Sequence, residues 1–335
     1  MHLPFFNKYL VKNLATDLYN LNGSLMAKRR QKNRPLTDKS ADIRNGLIKN
    51  YVLPLYGDIS LQNLSIRIID ERLVSVKSIA GAKDLSGNTK NIILHILNDI
   101  FNQAIENGLK ITNPIESVMR FSQTITNFRG AIPIVEMDLL FPKTHEGLIK
   151  IWRKQIYVVA YLILKDTGLR PGELRALAWA DWYPDYSFFP ITKAIESGKR
   201  DKIKCTKTGS VKPAVVSDQT AKEIDLLYNS VNNHSPNDFI FCDKNGPFTI
   251  GRIVYNFKKG VTRAGLNRPD YSPYWLRHTF NTRALDDLPD DIVRLLMGHA
   301  TEGMTRHYRH PDIESLKKEA ARIREMYFKI NNKSS

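Results

Sequence analysis

The stretch Lys165–Trp179, KDTGLRPGELRALAW, stops one helix and starts the next within a few residues. Gly168 follows an apolar helical run and is a natural helix stop; Pro171 suits a first helical turn, where its missing N–H is not needed. Arg170 therefore falls at a helix N-terminus, where free backbone N–H groups and the helix dipole already favour an anion. Its guanidinium would add a two-pronged grip on a phosphate. Glu173, three residues on, offers the same arginine a second use, an ion pair that caps the turn.

Three further clusters lie downstream of this turn. The segments IKCTK (203–207) and VKPAVV (211–216) flank Thr208-Gly209-Ser210, which is hairpin chemistry with β-branched arms and a short glycine turn. Seven basic residues stand against two acidic ones from Lys193 to Lys212. Lys207 sits in the turn, placed either to be solvated or to enter a DNA groove and deliver its ammonium to a leaving oxygen. In SPYWLRHTFNTRAL (272–285), Pro273 starts a helix whose Tyr274, Arg277, His278 and Asn281 share a face at i, i+3, i+4 and i+7. In LMGHATEGMTRHYRHPD (296–312), Gly298 ends a helix, His299 follows at once and Tyr308 stands nine residues later. His299, His307 and His310 are separated by eight and three, which does not match the i, i+4 pair of a helical zinc motif, so no metal is expected.

A chain of 335 residues with 42% apolar content can fill two globular cores. Lysine and arginine exceed aspartate and glutamate by 16, so the surface attracts polyanions such as nucleic acid or acidic membranes. The two cysteines, Cys205 and Cys242, form no C-x-x-C pattern, which indicates neither a disulfide framework nor a cysteine zinc site and fits a reducing cytoplasm. The longest apolar run, IYVVAYLIL (156–164), has nine residues, against ~20 needed to cross a bilayer. No signal peptide is visible, so a soluble protein without a membrane partner is expected.

Residues 1–36 read as a basic segment, with Lys28, Arg29, Arg30, Lys32 and Arg34 concentrated in MAKRRQKNR (26–34), either a solvated tail or a set of phosphate contacts. Residues 37–122 read as a small helical unit. Its clearest helix is DLSGNTKNIILHILNDIFNQAIENG (84–108), with Ile93, Ile96, Leu97, Ile100, Ala104 and Ile105 on one face, and YVLPLYGDISL (51–61) reads as a connector punctuated by Pro54 and Gly57. Residues 123–146 read as a linker. A second unit, 147–312, opens with one apolar helix from Ile149 to Lys165 and mixes helices with a few strands. Within it, GRIVYNFKKGVTRAGLNR (251–268) places Arg252, Lys258, Lys259 and Arg263 around Tyr255 and Phe257, either as phosphate contacts or as a solvated basic face. The last segment, 313–335, carries a helical stripe of Ile313, Leu316, Ala320, Ile323 and Tyr327 that must dock on its own domain or on a neighbour.

The ordered set Arg170, Lys207, Arg277, His299, Tyr308 resembles the tyrosine recombinases, the family of phage integrases and Xer-type recombinases. TGLRPGEL resembles its first arginine box, TKTGSVK its hairpin lysine, LRHTF its second arginine box, and LMGHA with Tyr308 its histidine and nucleophile boxes. The resemblance is close over residues 148 to 325 and looser over 37 to 122. It implies a mainly α fold with a small β-sheet or hairpin: an all-helical core-binding domain followed by a mixed α+β catalytic domain. It also implies that Tyr308 attacks a scissile phosphate to give a 3′-phosphotyrosyl link, that Arg170 and Arg277 clamp the phosphate, that Lys207 protonates the 5′-oxygen and that His299 hydrogen-bonds the phosphate. No cofactor is needed for that chemistry. Tyr274 stands where the family usually has a histidine, and a phenol is a poor base at neutral pH. His278, next to Arg277, is the alternative proton acceptor.

The partners implied are double-stranded DNA, gripped by both units, and further copies of the chain: a dimer on a site and a tetramer in synapsis, joined through the C-terminal helix 313–327. Accessory DNA-bending proteins are a further implied class. The leading expectation is an integrase of a mobile element. The alternatives are Xer-type dimer resolution, a type IB topoisomerase or telomere resolvase with the same catalytic set, and a DNA-binding regulator with decayed chemistry.

Overall fold

The computed structural model describes residues 9–79, 83–122, 130–196, 198, 202–205, 211–231, 235–297 and 313–328. The chain divides into two compact units, Met1–Asn127 and Phe128–Ser335. No described helix is long and apolar enough to cross a membrane.

In the first unit, helices α1 (Val11–Ala15), α2 (Ser24–Gln31), α3 (Asp38–Leu47), α4 (Ile66–Val74) and α5 (Gly87–Glu106) surround one apolar core. Thr37, Ser65 and Ser86 cap α3, α4 and α5, each side-chain oxygen accepting from the N–H three residues on. Along α5 the predicted stripe is fully buried at Ile93, Ile96, Leu97, Ile100 and Ala104, and partly buried at Ile105. Two stretches differ from expectation. The basic N-terminal stretch is helical in α2 and belongs to this core: Val11, Ala15, Leu18, Tyr19 and Met26 are buried in it. The Tyr19 hydroxyl donates to Asp99 on α5 at 2.6 Å. One methionine among five bases leaves too faint a stripe to signal that docking. The supposed connector at Pro54 is also helical, because a wider turn over Ile48–Val52 runs straight into Leu53–Tyr56. Pro54 falls at the start of that last segment, where its missing N–H does least harm.

The second unit begins with α6 (Ile134–Leu140), which lies inside the stretch expected to be a linker. Seven residues are too few to show a sustained period, yet Met137 and Leu140 are buried. Next come α7 (His145–Trp152) and α8 (Gln155–Thr167), two helices where the apolar pattern suggests one. Arg153 breaks the run with φ +68°. The break lets Trp152 turn into an aromatic cluster, 4.4 Å from the Tyr161 ring, 5.5 Å from Phe141 and 5.6 Å from Phe257. Helix α8 is buried from Tyr157 to Leu164 and forms the axis of the unit, with α9 (Pro171–Leu174), α10 (Asp218–Ser230), α11 (Ile250–Arg263) and α12 (Pro273–Asp287) around it. Helix α13 (Asp290–Met297) follows α12.

The strands are β1 (Phe188–Ile191), β2 (Lys193–Ile195), β3 (Ile203–Cys205), β4 (Lys212–Val215), β5 (Cys242–Asp243) and β6 (Gly246–Pro247). The hairpin differs from the sequence expectation. The segments on either side of Thr208-Gly209-Ser210 do not pair with each other: β3 pairs antiparallel with β2, and β4 with β1. The registers include Ile195↔Ile203 in one two-stranded sheet and Ile191↔Lys212 in another. Pairing depends on partner strands earlier in the chain, so a glycine between two β-branched segments does not by itself make them partners.

The final helix, α14 (Ile313–Ile323), buries Leu316, Ala320 and Ile323 in a core shared with Phe188, Val215, Leu295 and Leu296. The docking that the stripe demands is met within this chain, and Arg324 pairs with Asp218.

Gly260 of α11 faces Trp152 so closely that a Cβ would overlap the indole ring. Gly260→Ala should therefore overpack this core and lower unfolding stability by ~1–3 kcal/mol. Chemical denaturation of the full chain measures it, and an unchanged midpoint would mean the ring can move aside.

Candidate active site

Helix α8 ends at Gly168, whose φ of +58° is the left-handed conformation a C-terminal stop requires. A Cβ there would lie 2.6 Å from the Phe280 ring of α12, so the glycine also lets α12 approach the turn. Across that contact, the Arg277 guanidinium on α12 donates to the Gly168 carbonyl. Burial, and then the charge of Arg170, hold the Arg277 guanidinium below its ordinary pKa. The two arginines, far apart in sequence, are near enough in space to feel each other.

Arg170 is the N-cap of α9. Its backbone N–H donates to Glu173 Oε2 at 3.0 Å and its guanidinium donates to Glu173 Oε1 at 3.0 Å. The ion pair that the sequence offers as the bland use of Arg170 is thus present, but the arginine side chain stays 45% exposed. It can keep this partner and still meet an anion.

Glu173 is buried and also accepts from the ammonium of Lys212 at 3.1 Å. Burial works to raise the Glu173 pKa, but Lys212, the Arg170 N–H and the Arg170 guanidinium outweigh it and hold the carboxyl below its ordinary range. Lys212, the first residue of β4, is 3% exposed. Burial is the main cause that brings its pKa down to about 8; Glu173 opposes the fall, while Arg277 and Arg170 add to it.

Lys212 escapes the sequence reading, which counts it only among the basic residues near the turn. One signal was there to find: VKPAVV is apolar apart from this lysine, and a lysine in a buried strand demands a partner. The structure also gives Glu173 a second partner beyond Arg170.

Tyr274 and His278 lie on α12, both partly buried, one helical turn and one residue from Arg277. Lys207, His299 and Tyr308 lie outside the described residues, as do His307 and His310. The candidate DNA contacts divide by partner. Lys28 pairs with Glu106, Arg29 donates to Asp99 at 3.0 Å and Arg30 to the Leu21 carbonyl at 2.9 Å. Lys32 and Arg34 are exposed and border a cavity of about 340 Å³ beside Asp99 and Glu106. On α11, Arg252 pairs with Asp243, lies 3.9 Å over the Phe248 ring and donates to the Tyr157 hydroxyl at 2.9 Å. Arg263 donates to the Ile151 carbonyl. Lys258 and Lys259 remain exposed, with the Lys259 ammonium 5.6 Å from the exposed Tyr255 ring. Arg252 and Arg263 thus serve the packing of α11, whereas Lys258 and Lys259 are open to a polyanion.

The Lys212 pKa sets a stability signature. Between about 8 and 10.5, the folded and ordinary values, the unfolded chain holds a proton at this lysine that the folded chain has released. Stability from this group therefore rises with pH across that window. Melting curves should show the wild type gaining on Lys212→Met from pH 8 to 10.5; a pH-independent difference would mean Lys212 titrates normally.

Residues 136–315 match the model of the phage integrase family. A tyrosine recombinase XerC from Erythrobacter litoralis is 28% identical over 155 residues, 46% of each chain. A XerD from Listeria monocytogenes is 29% identical over 150 residues, 44% of this chain and 48% of the relative. A shufflon-specific DNA recombinase from Escherichia coli is 30% identical over 138 residues, 41% of this chain and 34% of the relative. The alignments thus span about half the length of the XerC and XerD relatives and a third of the shufflon recombinase. Among solved structures, the Tn1549 transposon integrase in complex with transposon right end DNA superposes with a TM-score of 0.67 at 19% identity, covering 92% of this chain and 99% of that one. A lambda integrase tetramer bound to a Holliday junction gives 0.61 at 15% identity, covering 90% and 82%. These two likenesses extend the shared fold across both units, and the family match spans the turn and helix that carry Arg170 and Arg277: the chain belongs to the phage integrase family.

Proposed function

We propose that this chain is a site-specific DNA recombinase of the tyrosine type, most simply an integrase of a mobile element. The observation that carries the reading is the convergence of Arg170 and Arg277 on one turn, where their charges interact and one carboxylate serves them.

Cutting a phosphodiester with a side-chain hydroxyl requires a nucleophile, neutralisation of the non-bridging oxygens and a proton for the departing sugar oxygen. Arg170 and Arg277 neutralise the phosphate. Tyr308 forms the new oxygen–phosphorus bond as the bond to the 5′-oxygen breaks; Lys207 gives that oxygen its proton and His299 steadies the phosphate. The phenol loses its own proton as it attacks, and His278 is nearer in character to the required acceptor than Tyr274, which acts as a hydrogen-bond donor. One phosphoester replaces another, so a second strand's 5′-hydroxyl can reverse the step on a new partner without ATP. Double-stranded DNA meets Lys32 and Arg34 in the first unit and Lys258 and Lys259 in the second, with copies of the chain assembling on it in the cytoplasm. The helical units assigned to core binding and catalysis follow the same reading.

Xer-type dimer resolution is the second reading, favoured by the XerC and XerD relatives. Both readings share the chemistry and are separated by the DNA site recognised.

On nicked suicide duplexes, wild type should trap a covalent DNA adduct and Tyr308→Phe none; an adduct surviving that change would remove the nucleophile assignment. Arg170→Ala or Arg277→Ala should each slow cleavage by ~10²–10³-fold or more, and Tyr274→Phe by much less. Duplex affinity should fall steeply as salt rises, and Lys258→Ala with Lys259→Ala should flatten that dependence by about one to two phosphate contacts.

A further inference from the structure

We infer that Lys212 is a positioning residue for the Arg170 guanidinium, acting through Glu173, and that it keeps Arg170 free to bind phosphate. The inference rests on the strand-transfer reading above and assigns a role to a residue that the reading does not use.

Three cations, Arg170, Arg277 and Lys212, converge near a single carboxylate, Glu173. The carboxylate divides its two oxygens. Oε2 accepts from the Lys212 ammonium at 3.1 Å and from the Arg170 N–H at 3.0 Å; Oε1 accepts from the Arg170 guanidinium at 3.0 Å. Lys212 is 3% exposed, so it cannot itself touch a phosphate in solvent. Its charge is spent on Glu173 instead, since a buried carboxylate needs an opposite charge. With Lys212 in place, the cluster carries two positive charges more than it carries negative. Without it, Arg170 alone must neutralise Glu173, and one of the two charges meant for the phosphate is lost.

The position in the fold suits this role. Lys212 opens β4, is held opposite Ile191 by the ladder and lies five residues after Lys207. The ammonium therefore fastens the strand that follows the Lys207 segment to the turn that carries Arg170.

The test is single-turnover cleavage of a nicked suicide duplex by the full chain, in wild type, Lys212→Met, Lys212→Arg, Arg170→Lys and the double variant Arg170→Lys/Lys212→Met. Lys212→Met should cut on the order of tenfold more slowly or worse, with duplex affinity within about threefold of wild type. Lys212→Arg should restore most of the rate. In the Arg170→Lys background the further loss from Lys212→Met should shrink to about threefold or less, because residues acting through one another are not additive. A Lys212→Met rate equal to wild type, or an equal loss in both Arg170 backgrounds, overturns the inference. Should Lys212→Met fail to fold, the wild-type pH profile takes its place. Among the described residues, the charged groups acting on this lysine are Glu173, Arg277 and Arg170, and burial brings its pKa down to about 8, so the rate of wild type relative to Lys212→Arg should fall above that pH. A constant ratio overturns it equally. A wild type that forms no adduct at all overturns the strand-transfer reading and this inference together; a normal wild-type adduct with an indifferent Lys212 overturns only the latter.

Discussion

The buried Glu173 carboxylate is the constraint around which this site is built. It closes the first turn of α9 through the Arg170 N–H, orients the Arg170 guanidinium and takes up the charge of Lys212 on β4. A carboxylate this deep is stable only when its charge is met at close range. Two chain segments, the turn after α8 and the start of β4, are therefore held together by one electrostatic requirement.

The second arginine reaches the same place by packing. Gly168 ends α8 in a conformation open to glycine, and the Phe280 ring of α12 fills the space a side chain would take. That close approach brings the Gly168 carbonyl within reach of Arg277, one helical turn before Phe280 on α12. One residue thus terminates a helix, admits a neighbouring helix and supplies the acceptor that orients an arginine. The cost is electrostatic: Arg277 is partly buried beside another guanidinium, which lowers its pKa. Glu173, the one carboxylate in the cluster, offsets part of that repulsion.

The rest of the unit supports this arrangement indirectly. Helix α8 is buried from Tyr157 to Leu164 and can serve as a rigid axis because α10, α11 and α12 surround it. The aromatic cluster around Trp152 fixes α7 and α11 to that axis. Helix α14 closes a second core over β1 and β4 and so covers the ladder that carries Lys212.

The sequence by itself determined the elements whose signals are local: the α5 stripe, the stop at Gly168, the start at Pro171, the helix opening at Pro273 and the order of the chemistry-bearing residues. Each depends on spacing within a turn or two, or on a residue with restricted backbone freedom, so each is visible without tertiary contacts. What only the tertiary structure decided depends on partners distant in the chain. Strands β3 and β4 pair with β2 and β1 instead of with each other, because each finds its partner strand earlier in the chain. Arg252 and Arg263 belong to the packing of α11, while Lys258 and Lys259 face solvent, a division that composition cannot show. Lys212 looks in sequence like one more basic residue, and it becomes part of the site because burial makes it seek a charge that Glu173 supplies.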